Sequence, residues 1–249
     1  MTETQLWIPD DGIRLNAKLT RPSQGRHPLV LLIHGFTGHM EEPHILALVD
    51  TFNALGFATL RADLYGHGHS GGQFRDHTLY KWLTNALTLI DYARSLDFVT
   101  GLTLCGHSQG GLTVMLAAAM KRDQVDRLIP LAPAAMIPEG ARRGELLGRS
   151  FDPEHIPDAF YIDDEHTLGG NYVRVAQTIR VEDAIDRYPG PVLIVHGTGD
   201  QSVPVQVGID AANRYRNARL SLIHGDSHCF DFHLDQMLAA VRDWLNPTR

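Results

Sequence analysis

The stretch Leu102-Thr103-Leu104-Cys105-Gly106-His107-Ser108-Gln109-Gly110-Gly111 constrains this chain most, because it runs an apolar strand into a tight turn and a helix start with no spacer. Glycines 106 and 110 remove the Cβ atoms that would collide as strand and helix approach each other. The serine between them, in Gly-x-Ser-x-Gly spacing, is lifted above the sheet on a strained turn. The helix N-terminus, with the pattern Leu112, Met115, Leu116 and Ala119 behind it, puts backbone N–H groups and partial positive charge beside Ser108. Those features suit a nucleophile with a place for an oxyanion. An incidental serine in a glycine-rich turn is the alternative, and its position between strand and helix weighs against it.

The rest of the chain repeats the same rhythm. Residues 3–20 alternate enough for a β-hairpin turning at Asp10-Asp11-Gly12. Pro28–Ile33 is a continuous apolar run that suits a strand buried on both faces of a parallel sheet, and similar short runs recur at Ala58–Leu60, Leu102–Cys105, Leu128–Leu131 and Val192–Val195, with a more polar one at Leu220–Ile223. Helical patterns separate them: one opened by Pro43 and stopped by Gly56, one capped by Thr78, one from Ser108 to about Met120, one opened by Pro204, and a last one from Leu234 to Leu245. The predicted fold class is therefore α/β, a mostly parallel central sheet flanked by helices, in a single domain. From about 133 to 178 no buried-strand run occurs, but charges are frequent and Phe151, Phe160, Tyr161 and Tyr172 are present. That is too long for a plain loop, so an inserted cap over the site is expected, with a surface excursion as the alternative.

Two further strand ends carry chemistry. Val192-Leu193-Ile194-Val195-His196-Gly197-Thr198-Gly199-Asp200 sets a carboxylate just past a buried strand, where open parallel sheets assemble their sites. Asp200 is expected to accept from a histidine ring N–H, fixing its tautomer and stabilising the imidazolium. After the last strand, Ile223-His224-Gly225-Asp226-Ser227-His228-Cys229 offers two histidines. His228, farther out in the loop, is preferred as the general base over His224, and Asp226 is read as shaping the loop. The order Ser108, Asp200, His228 then matches the α/β-hydrolase triad. Near the first long run, His34-Gly35-Phe36-Thr37-Gly38 occupies the place of a second oxyanion loop, so the backbone N–H groups of Phe36 and Gln109 are the expected donors. A structural role is expected for the His34 side chain, and an organising one for Asp63 and His67.

Composition removes other classes. A formal net charge of −7 argues against a nucleic-acid surface. No apolar run approaches the ~18 residues of a membrane span, and no signal-peptide pattern opens the chain. The 14 histidines are scattered, with no His-Glu-x-x-His or Cys-x-x-Cys spacing, so no metal site is expected. Cys105 and Cys229 are read as reduced thiols in a cytoplasmic protein.

Taken together, these residues resemble the bacterial feruloyl (cinnamoyl) esterases of the α/β-hydrolase superfamily over almost the whole chain. The likeness includes His34–Gly38, Glu41-Glu42-Pro43-His44, Gly106–Gly111, Ala132-Pro133-Ala134-Ala135, Gly169-Gly170-Asn171-Tyr172 and Asp226–Cys229. The resemblance implies a small-molecule hydroxycinnamoyl ester as substrate and an acyl-enzyme mechanism without a cofactor. It also implies an aromatic acyl pocket under the cap, with Tyr172 and either Phe160 or Tyr161 as contacts, a tyrosine hydroxyl on the phenolic oxygen, and Glu139 as an acidic neighbour. A short-chain carboxylesterase or monoacylglycerol lipase is the competing enzyme reading. A non-catalytic small-molecule receptor is the competing reading outside catalysis. Whether the chain forms a homodimer is left open.

Overall fold

A computed structural model describes residues 1–246. The chain opens with the expected hairpin, β1 (Thr2–Asp10) antiparallel to β2 (Ile13–Arg21). Asp11 and Gly12 at its tip have φ of 40° and 80°, the left-handed pair that lets a two-residue turn follow the twist of its strands. Next come β3 (His27–Ile33), α1 (Pro43–Ala54), β4 (Ala58–Ala62), α2 (Leu79–Ser95), β5 (Val99–His107), α3 (Gln109–Met120) and β6 (Arg127–Leu131). The Thr78 hydroxyl caps α2 by accepting from Lys81 N, and α1 ends before Gly56 at φ 85°.

The segment expected as an insertion is ordered into short elements: α4 (Ile137–Arg143), a hairpin of β7 (Glu145–Leu146) and β8 (Arg149–Ser150), a hairpin of β9 (Ala159–Tyr161) and β10 (Thr167–Gly169), and α5 (Asn171–Gln177). The chain closes with α6 (Val181–Arg187), β11 (Val192–Gly197), α7 (Val205–Arg214), β12 (Ala218–Ile223) and α8 (Leu234–Leu245). Helix α6 is absent from the pattern reading because seven residues, with only Val181, Ala184 and Ile185 buried, give too little period to detect.

The eight-stranded sheet has the order β1-β2-β4-β3-β5-β6-β11-β12, parallel from β4 to β12 and antiparallel only at the hairpin edge. Both faces are covered, which is why the central strands read as unbroken apolar runs. In β3, Leu29, Leu31 and Ile33 join Trp82 of α2 and Met115 of α3 in one core. The alternating Val30 and Leu32 join Phe52 of α1 and Val241 of α8 in the other.

This order places the site. From β3 the chain moves to β4 on one side, and β5 then takes the place on the other side. The loops leaving the carboxyl ends of β3 and β5 therefore diverge and leave a crevice between them. Helix α3 can enter that crevice only because position 110 is glycine: a Cβ there would stand 2.3 Å from His34 O and 2.5 Å from Ile33 O. Gly110→Ala should therefore cost about 3 kcal/mol or more, lowering Tm by roughly 6–12 °C in a thermal melt. An unchanged Tm would show that helix and strand do not approach this closely.

Candidate active site

Ser108 sits at the tip of the β5–α3 turn with φ 56° and ψ −119°, a conformation costing about 1–3 kcal/mol for a residue with a Cβ. Neighbouring backbone holds it there. Ser108 N donates to Leu131 O (2.9 Å), and Ser108 O accepts from Leu112 N (3.1 Å) and Ala134 N (3.0 Å). Gly106 is required because a Cβ would lie 2.3 Å from Gly110 O. Gly35 brings the loop after β3 so close that its Cβ would stand 3.2 Å from Ser108 Cβ. The N–H groups of Phe36 and Gln109, which flank this approach, have no hydrogen-bond partner among the described residues. Two free donors beside a strained hydroxyl can stabilise a developing oxyanion.

The loop after β3 is held by a neutral imidazole. His34 Nδ1 donates to Gly35 O (2.8 Å), and its Nε2 accepts from Leu64 N (3.0 Å). Burial lowers its pKa to about 4, against a smaller upward pull from the Gly35 bond and Asp63. Asp63 organises the adjacent turn, accepting from Met40 N (2.9 Å), His69 N (2.9 Å) and Asn16 Nδ2 (2.8 Å).

At the end of β11, Asp200 Oδ2 accepts from His228 Nδ1 (2.7 Å) and from His196 Nε2 (3.2 Å), while Oδ1 accepts from Ser202 N and Val203 N (2.8 Å each). Burial alone would raise the Asp200 pKa, but the bonds from His196 and His228 outweigh it and hold the carboxyl well below the usual range. The bond to Nδ1 fixes the His228 tautomer and leaves Nε2 as the basic nitrogen. Among the described residues no hydrogen bond joins that nitrogen to Ser108 Oγ. Such bonds often form only in the substrate complex. His224 is exposed and lies off this network, whereas buried Asp226 shapes the loop by accepting from Ser227 N (2.9 Å) and Phe232 N (3.0 Å).

Two supports escaped the sequence reading. His196 completes the Asp200 acceptor set from four residues upstream. His107, next to Ser108, donates from Nε2 to His228 O (2.8 Å), tying the loop of His228 to the turn of Ser108. Its burial, with His44 and His228 nearby, drives its pKa far down, so it acts as a neutral spacer. A histidine at a buried strand end was the available signal in both cases, but sequence gives no partner for it.

The family described as "Serine aminopeptidase, S33" matches residues 24–160, which include the loop after β3 and the Ser108 turn. The solved structure of Est1E from Butyrivibrio proteoclasticus with ferulic acid bound is 57% identical, superposes with a TM-score of 0.95, and is covered over 98% of its length by 97% of this chain. A second Est1E structure shows 55% identity and a TM-score of 0.92, with 98% of each chain covered. The chain belongs to the feruloyl esterase family of α/β-hydrolases. Among curated relatives, the human mitochondrial palmitoyl-protein thioesterase ABHD10 is 24% identical over 206 residues; 80% of this chain spans about 66% of that protein's length.

The insertion's predicted contacts fall in different places. Tyr172, on α5, is buried, and its hydroxyl donates to Gln109 Oε1 (2.6 Å). Its ring meets that of Phe36 edge-on at 6.1 Å. Phe160 packs inward against Phe151 at 5.2 Å, whereas Tyr161, next to it on the strand, is 71% exposed. Glu139 is paired with Arg142 and Arg143 and lines a cleft of about 480 Å3 between α4, α6 and α7 that includes no residue of the predicted triad. The described residues contain no group of three metal-ligating side chains.

Buried histidines make the fold acid-sensitive. Burial lowers the pKa of His34, His44 and His77 to about 4 and that of His67 to about 2. The unfolded chain binds these protons near pH 6.5 and the folded chain does not. Stability is therefore full above about pH 6.5 and is lost progressively as the pH falls toward 4. Urea melts between pH 7.5 and 5 should show this decline; equal midpoints across the range would contradict it.

Proposed function

We propose that the protein is a serine esterase that hydrolyses hydroxycinnamate esters through an acyl-enzyme. The observation that carries the substrate class is the ferulic acid bound by Est1E, a protein 57% identical over nearly the whole chain. Ser108 attacks the ester carbonyl while His228 Nε2 takes its proton, and Asp200 stabilises the imidazolium. The carbonyl oxygen becomes an oxyanion between the N–H groups of Phe36 and Gln109. Collapse of the tetrahedral species expels the alcohol, which His228 protonates. Water, deprotonated by His228, then attacks the acyl-enzyme and releases the hydroxycinnamic acid. Each proton moves through one ring, and no redox step arises.

The insertion acts as a cap whose buried aromatic residues, Phe160 and Tyr172, border the acyl side. No helix is long and apolar enough to cross a membrane among the described residues. The free thiols, Cys105 buried and Cys229 half-buried, fit a reducing cytoplasm.

The test compares kcat/KM for methyl ferulate and p-nitrophenyl butyrate, with Ser108→Ala as control. Ferulate should be preferred; equal or lower efficiency on it would reassign the protein as a short-chain carboxylesterase. Ser108→Ala should abolish turnover of both. His228→Ala should lose about 10⁴-fold or more in kcat and His224→Ala much less. The reverse ranking would move the base.

A further inference from the structure

Tyr172 touches both residues that supply the oxyanion donors. Its hydroxyl is bonded to the side chain of Gln109 at 2.6 Å, and its ring packs edge-on against Phe36 at 6.1 Å. Tyr172 and Gln109 are both fully enclosed, at 1% and 0% exposure. No partner other than Tyr172 meets the Gln109 amide, since its Nε2 is buried without a hydrogen bond. Burial raises the Tyr172 pKa, which keeps the phenol protonated and donating.

The arm that carries Tyr172 is itself anchored. Gln177, at the other end of α5, donates from Nε2 to Ala141 O (3.2 Å) and Pro153 O (2.9 Å), and Arg142 donates to Gln177 O (3.3 Å). Gly170, just before α5, lies so close to Pro157 O that a Cβ would stand 2.1 Å away. The insertion therefore presents Tyr172 from a braced helix.

We propose that Tyr172 is a positioning residue that fixes the Phe36 and Gln109 donors relative to each other, so that oxyanion stabilisation depends on the seating of the insertion. This rests on the assignment of those two N–H groups above. It differs from a contact between the Tyr172 hydroxyl and a substrate phenol, because the bond to Gln109 acts on every ester whatever its acyl group. Donors must lie at about 2.7–3.1 Å from the oxyanion, so small displacements weaken the transition state and leave ground-state binding unchanged.

Tyr172→Phe keeps the ring and removes the bond. Its kcat should fall by about tenfold, equally on methyl ferulate, on methyl 3,4-dimethoxycinnamate (which has no phenol) and on p-nitrophenyl butyrate, with KM unchanged. Affinity for a trifluoromethyl ketone, which forms an oxyanion on Ser108, should fall by the same factor, while affinity for ferulate stays constant. Gln109→Met should reproduce the loss, and the double variant should add nothing to it. A loss confined to methyl ferulate, a loss carried in KM, unchanged rates, or additive losses would each overturn the proposal. The p-nitrophenyl butyrate arm reads it even if ferulate proves a poor substrate, and activity surviving in Ser108→Ala would instead remove the underlying mechanism.

Discussion

The approach of β5 and α3 at Ser108 is the contact on which the site depends. A serine at φ 56° is unfavourable by itself, and it persists because three backbone hydrogen bonds and two glycine contacts leave no room for relaxation. The same closeness that strains the turn leaves the Gln109 N–H at the start of α3 unpaired among the described residues. Gly35 completes the crevice by letting the loop after β3 reach Ser108. The strained turn and the unpaired N–H groups beside it are therefore consequences of one packing arrangement.

Around that turn the protein uses imidazoles as hydrogen-bonding spacers, and burial keeps two of them, His34 and His107, neutral. His34 bridges Gly35 O and Leu64 N, His107 holds His228 O, and His196 shares its Nε2–H between Asp200 Oδ2 and Val203 O. A charged side chain in these enclosed positions would need a buried counter-ion. A neutral ring can offer one donor and one acceptor at fixed separation without that cost. The abundance of histidine in this chain thus belongs in good part to scaffolding.

Much of this was legible in the sequence, for local reasons. Continuous apolar runs marked the strands buried on both faces, and Thr78, Gly56 and Asp11-Gly12 marked ends whose chemistry is contained in one to three residues. Ser108, Asp200 and His228 stood out because each follows a strand end. The supporting bonds were not legible, because Tyr172–Gln109 and His107–His228 span 63 and 121 residues. Nothing local to Gln109 indicates what its side chain meets. The same limit governs the insertion: its aromatic residues were visible, but the alternation that buries Phe160 and exposes Tyr161 depends on a three-residue hairpin strand too short to show a period.

The segment between β6 and β11 stands apart in sequence from the elements that carry Ser108, Asp200 and His228. It interrupts neither the β5–α3 turn nor the strand ends that carry Asp200 and His228. Tyr161 and Glu139 make no hydrogen bond to Asp200, His228 or the Ser108 turn among the described residues. Tyr172 is different, because it reaches from α5 into the first residue of α3. Under the proposed mechanism, a residue at this junction would meet two demands at once, the shape of the enclosure and the spacing of the oxyanion donors. Under the same mechanism, substitution there would be constrained by the chemistry as well as by the acyl group, and so would substitution at Gln177 and Arg142, whose bonds anchor the same helix.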